Sequence, residues 1–182
     1  MLLEDILEAN CRFTHEVKPD VLDHLPQKHL AIVTCMDTRL VEILEPALGI
    51  SRGEAIEIKN AGNFAGDKSC DVIRSLVAAV YMLGVQEIAV IGHTSCGMAN
   101  VDMVTVKERM VHAGISEQYI QELDLESWFG SFCDEEENVV HTVNMIHKSP
   151  YLPDSIPVHG FMIDIETEEL TLLINGYKEM AR

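Results

Sequence analysis

Five residues in this chain have the types and spacing to do chemistry together. Cys35, Asp37 and Arg39 form one cluster, Cys-Met-Asp-Thr-Arg. His93 and Cys96 form a second, His-Thr-Ser-Cys-Gly. Thiolate and imidazole are the donors that zinc favours. His93 and Cys96 stand three apart, so a tight turn can aim both at one point, and Cys35 would arrive from elsewhere. Three protein ligands with a fourth position open is the catalytic zinc pattern, whereas structural zinc usually has all four positions filled. Each half has a plainer reading. A cysteine at a strand end is commonly a small buried hydrophobe, Asp37 can simply cap a helix, and Arg39 can simply be surface charge.

The elements around the two clusters decide whether they meet. Residues 30–34, Leu-Ala-Ile-Val-Thr, and 87–92, Glu-Ile-Ala-Val-Ile-Gly, are nearly continuous apolar runs. Such runs mark parallel strands buried on both faces. Residues 55–58 suggest a further strand, ending in the turn Asn60-Ala61-Gly62-Asn63. Helical periodicity covers 40–48, 71–83 and 98–113, closed by Gly49, Gly84 and Gly114. Asp134 predicts a helix start running to about 147, with acids in its first turn where they suit the helix dipole. That reading accounts for the run Asp134-Glu135-Glu136-Glu137, which lacks the spaced ligands of a calcium loop. Residues 156–165 and 170–174 read as two more strands, joined as a hairpin. Strand, helix, strand, helix, strand is the pattern of an α/β fold with a central, mostly parallel sheet flanked by helices. Ligands in such sheets gather at the carboxyl ends of the strands, and both clusters sit there.

Taken together, Cys35-x-Asp37-x-Arg39 and His93-x-x-Cys96-Gly97 resemble the signature of the β-carbonic anhydrases. The resemblance extends to Asn60-Ala61-Gly62-Asn63, to Val72-Ile73-Arg74-Ser75 and to Val158-His159-Gly160. Cys96-Gly97-Met98 and the run 134–138 are most similar to the compact cab type. Two departures stand out: Ser95 occupies a position where that branch often has Asp, and the stretch between Asn63 and Val72 is slightly longer. The resemblance implies a β-carbonic anhydrase fold over 1–182 as a single domain, with residues 1–28 as an N-terminal helical arm and connection. It implies Zn2+ held by Cys35, His93 and Cys96, and a zinc-bound hydroxide that converts carbon dioxide reversibly to bicarbonate. Asp37 and Arg39 would be the catalytic pair. Arg39 holds Asp37 against the nucleophile, and Asp37 becomes a conditional fourth zinc ligand when that pair breaks. The rival on the same fold is hydrolysis of carbonyl sulfide or carbon disulfide. A rival of another class is a non-catalytic zinc-binding assembly protein, against which the Asp37–Arg39 pair counts.

The remaining sequence narrows the partners. The net charge is −17, from 13 basic and 30 acidic residues. Such a surface repels phosphate backbones and disfavours nucleic acid. No apolar run approaches the roughly 20 residues of a membrane span. The first residues lack a basic segment and carry acids within their apolar stretch, which argues against a signal peptide and for a cytoplasmic location with reduced thiols. Cys11, Cys70 and Cys133 are expected to be packing residues. His15, His24, His29, His112, His141 and His147 are expected to be solvated, and His159, inside an apolar strand, a satisfied core residue. The apolar positions 2, 3, 6, 7 and 11 give the arm a helical face. The resemblance implies that this arm crosses to a neighbour in a homodimer or larger homo-oligomer.

Overall fold

The computed structural model describes residues 2–16, 21–66 and 70–179. Helix α1 spans Leu2–Glu16 and has no buried residue. Strand β1, Leu30–Cys35, leads through a 3-10 turn, Thr38–Leu40, to the short helix α2, Leu44–Ala47. Strand β2 is Ala55–Asn60 and helix α3 is Cys70–Leu83. Strand β3, Glu87–His93, is followed by helices α4, Met103–His112, α5, Glu117–Glu122, and α6, Leu125–Phe129. Helix α7, Glu135–His147, precedes strands β4, Val158–Ile163, and β5, Leu170–Ile174, and helix α8 is Gly176–Glu179.

The strands form one sheet in the order β2-β1-β3-β4-β5. All pairings are parallel except β4 with β5. Successive residues of β1 and β3 serve opposite faces, as a period of two requires. Ala31, Val33, Ile88 and Val90 face a core completed by Leu76 and Ala79 of α3 and by Val139, Val143 and Ile146 of α7. Ile32, Ala89 and Ile91 face a second core, with Leu40 of the 3-10 turn, Leu44 of α2, and Cys35 and Cys96. Both faces being covered explains why these two strands carry almost no polar residue. Gly92 lets α7 approach: a Cβ there would lie 2.5 Å from Val139 Cγ2, and overpacking of that kind costs about 1–3 kcal/mol.

The connections set the position of the site. The segment after β1 carries α2 on one face of the sheet, and the segment after β2 carries α3 on the other. In the order β2-β1-β3-β4 the chain leaves β1 toward β2 and leaves β3 in the opposite direction, toward β4. The crevice between their carboxyl ends is the topological switch point, where open α/β sheets place ligands. Cys35 ends β1 and His93 ends β3.

Several boundaries differ from the periodicity. The stretch 40–48 is broken, because Glu42 takes a left-handed φ of 65° and only Leu44–Ala47 is α-helical. Helix α4 starts at Met103, not near 98, because Asp102 accepts from the Val104 and Thr105 amides and caps it there. Residues 98–100 instead pair with Phe132 through Asn100 N to Phe132 O, 2.7 Å. Residues 114–133, left without elements by the sequence reading, hold α5 and α6, capped by Ser116 and Asp124. Part of the longer stretch after Asn63, residues 67–69, lies outside the described residues.

Candidate metal centre

Cys35, His93 and Cys96 converge at the switch point. All three are buried, and their ligand atoms lie within 4.8 Å of one another. The two sulfurs are 3.9 Å apart. A tetrahedral zinc with Zn–S distances of about 2.3 Å holds its sulfurs roughly 3.8 Å apart, so the spacing suits that ion. His93 Nδ1 lies 2.9 Å from the Thr94 carbonyl. A carbonyl only accepts, so Nδ1 carries the proton and Nε2 presents its lone pair. His93 Nε2 is buried and has no hydrogen-bond partner, which leaves a donor atom waiting for an electrophile.

The two thiols, 3.9 Å apart, shift each other's titration in opposite directions. The hydrogen bond from Cys96 draws Cys35 down to about 4, helped against burial by His93 and by the backbone amides of Gly62 and Asp37. The same bond to Cys35, with burial, pushes Cys96 up. Burial disfavours the charged form of His93, but the nearby Cys35 sulfur and the Thr94 carbonyl outweigh this and raise its pKa. A site that stabilises negative charge on sulfur and strands an imidazole nitrogen fits a soft divalent cation.

Asp37 and Arg39 stand beside this cluster. Asp37 does cap the 3-10 turn, accepting from the Arg39 amide at 2.9 Å. Its carboxylate also takes both guanidinium arms, Nε to Oδ1 at 3.0 Å and Nη2 to Oδ2 at 2.8 Å. Arg39 is more than a surface charge, since Nη2 also donates to the Ser95 carbonyl at 2.8 Å and ties the β1 loop to the β3 loop. Ser95 sits at a φ of 56°, a left-handed conformation that Asp and Asn tolerate better than most residues. The Arg39 hydrogen bond holds the Asp37 carboxyl well below the usual carboxylate range. Asp37 Oδ2 is nonetheless only 3.8 Å from His93 Nε2.

The other cysteines and histidines divide. Cys11 and Cys133 are exposed, contrary to the packing expected of them: Cys11 lies on α1, which touches no core, and Cys133 in the turn entering α7. The side chain of Cys70 lies outside the description. His147 is not freely solvated, since its Nε2 is buried and unpartnered. His159 is a satisfied core residue, taking the Gly176 amide on Nδ1 at 3.1 Å and bonding Glu87 through Nε2 at 2.8 Å.

A mostly parallel sheet with a Cys-His-Cys cluster at its switch point and a carboxylate–guanidinium pair beside it defines an α/β protein built around a candidate metal centre. The sequence model of the carbonic anhydrase family matches residues 30–170. The β-carbonic anhydrase isoform I of Trichomonas vaginalis superposes with a TM-score of 0.92 at 40% identity, covering 97% of this chain and 100% of that one. Beta-carbonic anhydrase 1 of Mycobacterium tuberculosis is 36% identical over 80% of this chain and 82% of its own length. A carbon disulfide hydrolase of Acidithiobacillus thiooxidans is 30% identical over 79% of this chain and 76% of its own. The chain belongs to the β-carbonic anhydrase family.

Proposed function

We propose that this chain is a zinc-dependent enzyme that interconverts carbon dioxide and bicarbonate. The observation that carries the reading is the doubly bonded Asp37–Arg39 pair, 3.8 Å from a metal-ready histidine nitrogen. A purely structural metal site has no use for such a pair. Cys35, His93 and Cys96 would hold the ion, which supplies a Lewis acid that makes water a nucleophile near neutral pH. Asp37, kept ionised by Arg39, accepts a hydrogen bond from that nucleophile and aims its lone pair at the carbon. Arg39 keeps the carboxylate from turning toward the ligand cluster. In the hydration direction the water oxygen bonds to carbon, one C=O electron pair moves onto oxygen, and a proton leaves to solvent.

Carbon disulfide hydrolysis is the second reading, favoured by the Acidithiobacillus relative. The two substrates share cumulated double bonds, so the same nucleophile serves either. Stopped-flow carbon dioxide hydration is expected to far outpace sulfide release from carbon disulfide or carbonyl sulfide on zinc-loaded protein. Rapid sulfide release with negligible carbon dioxide hydration would reverse the assignment. Inactivity in both assays at full zinc loading would favour a non-catalytic assembly role.

Assembly follows from α1. Leu2, Leu3, Ile6, Leu7 and Phe13 are each more than half exposed, and an apolar helical face of that kind marks an interaction surface. We infer that it packs on a second copy of this chain in a homodimer or larger oligomer. Deleting residues 1–14 is expected to lower the mass seen by light scattering, and a wild-type monomer at micromolar concentration would contradict the inference.

A further inference from the structure

Helix α7 buries polar side chains where its neighbours are apolar. Val139, Val143 and Ile146 pack into the core, yet Asn138 is only 4% exposed and Thr142 is fully buried. Burying such groups is costly unless they are hydrogen-bonded. Asn138 Nδ2 donates to the Gly62 carbonyl at 2.8 Å. Thr142 Oγ1 donates to the Asn63 carbonyl at 3.1 Å and accepts the Ala65 amide at 3.3 Å. One turn before Asn138, Glu135 Oε1 accepts the Cys96 amide at 3.3 Å. Positions 135, 138 and 142 share one helix face. All three side chains end on the loops that follow β2 and β3.

Those loops shape the ligand cluster. Cys96 belongs to one of them. Gly62 belongs to the other, which is tied to the end of β1: Asn60 pairs with Cys35, and the Met36 amide donates to the Asn60 carbonyl at 2.8 Å. Gly62 has a φ of +73°, and a Cβ there would lie 2.8 Å from the Phe132 ring, so this peptide has a single orientation to keep. Neither Glu135 nor Asn138 reaches a ligand atom. Glu135 holds the amide of a ligand residue, Cys96, and Asn138 holds the Gly62 carbonyl in the loop beside the end of β1, and groups at that remove orient metal ligands.

We propose that Glu135 and Asn138 are the positioning residues of the metal centre: from one face of α7 they fix the Cys96 and Gly62 peptides, and so set how tightly and how long the metal is held. The proposal rests on Cys35, His93 and Cys96 being the zinc ligands.

The test compares wild type, Glu135→Ala, Glu135→Gln and Asn138→Ala. Zinc release to a chromophoric chelator is timed, and the thiolate-to-metal absorption of the cobalt-substituted forms is recorded. Wild type should load one zinc per chain. Glu135→Ala and Asn138→Ala should release it about 10- to 100-fold faster and shift the cobalt band. Glu135→Gln keeps an acceptor oxygen for the Cys96 amide and should recover most of the wild-type behaviour. Glu135 is partly exposed in the first turn of α7, where Asp134, Glu136 and Glu137 remain to support the helix. The two Glu135 variants therefore decide the matter even where Asn138→Ala fails to fold. Wild-type release rates and an unchanged cobalt band in Glu135→Ala, with wild type fully loaded, would overturn the proposal. A wild-type protein that takes up no zinc overturns the ligand assignment itself.

Discussion

Serine at Cys35 or Cys96, or alanine at His93, is expected to leave the purified protein nearly free of zinc and without measurable carbon dioxide hydration. Wild type should carry one zinc per chain. The three donor atoms form one compact set within 4.8 Å, and no fourth Cys or His joins it among the described residues. Zinc bound by thiolate and imidazole in small domains is worth about 10–16 kcal/mol in all, so losing one ligand of three removes on the order of 3 kcal/mol or more. That is more than a hundredfold in affinity. A serine hydroxyl stays protonated near neutral pH and does not replace the lost thiolate. His93→Ala also removes the nitrogen that nothing else in the protein satisfies. Cys11→Ser, Cys70→Ser and Cys133→Ser should keep full metal content. Elemental analysis checks the whole series, and metal loss confined to the second group would show that the wrong cysteines were chosen.

What the sequence disclosed depended on how local the signal was. Strands β1 and β3 were legible because both faces are covered, which forces uninterrupted apolar runs on residues 31–33 and 88–91. The two polar clusters were legible because each lies within five residues at a strand end. Their meeting was not a local property. It depends on β1 pairing with β3 across more than fifty residues, with Thr34 opposite Ile91; in the sequence their shared place at strand ends suggested the meeting, and the family resemblance made it specific. Helices α5 and α6, of six and five residues, are too short for periodicity to register. Helix α7 shows a different loss. Asp134 announced its start correctly, accepting the Glu137 amide at 2.8 Å. The acids behind it then looked like dipole-matching charge, although Glu135 also reaches the Cys96 amide. The readable trace of that role was Asn138 and Thr142 interrupting an apolar face. Cys133 misled because the burial tendency of cysteine describes cores, and it lies in none; Cys11 is exposed in the single chain, on the α1 face proposed to meet a second copy.

Asp37→Asn is expected to keep its zinc and lose roughly a hundredfold or more in rate, the usual scale for removing a positioned proton-accepting group. The amide is a weaker acceptor, and it cannot hold Arg39 by charge. Arg39→Ala should also keep its zinc, with a loss that depends on pH. In wild type Arg39 occupies both oxygens of Asp37. Once freed, the carboxylate is a short swing from the ligand cluster, since Oδ2 already lies 3.8 Å from His93 Nε2. There it can take the metal's open position and exclude water. The sign of the pH effect follows from which group titrates. Asp37 is lowered in pKa by the Arg39 hydrogen bond, so the pair is fully formed above the unfolded aspartate value of about 3.9 and is lost only as pH falls through the depressed folded value. Between about pH 6 and about pH 9 Asp37 therefore stays ionised, and a change in wild-type rate over that window is not its titration but fits ionisation of the proposed nucleophilic water. Two thiolate ligands would make a bound metal a weaker acid than three neutral imidazoles would. The water should ionise late, and wild-type activity should rise with pH. The Arg39→Ala deficit should be greatest at the acid end, where hydroxide competes least with the freed carboxylate, and should shrink toward the alkaline end. Carbon dioxide hydration across that range, measured with zinc content for wild type and both variants, provides the check. An Asp37→Asn enzyme as fast as wild type throughout, or either variant purified without metal, would show that this pair holds the site together instead of acting on the nucleophile.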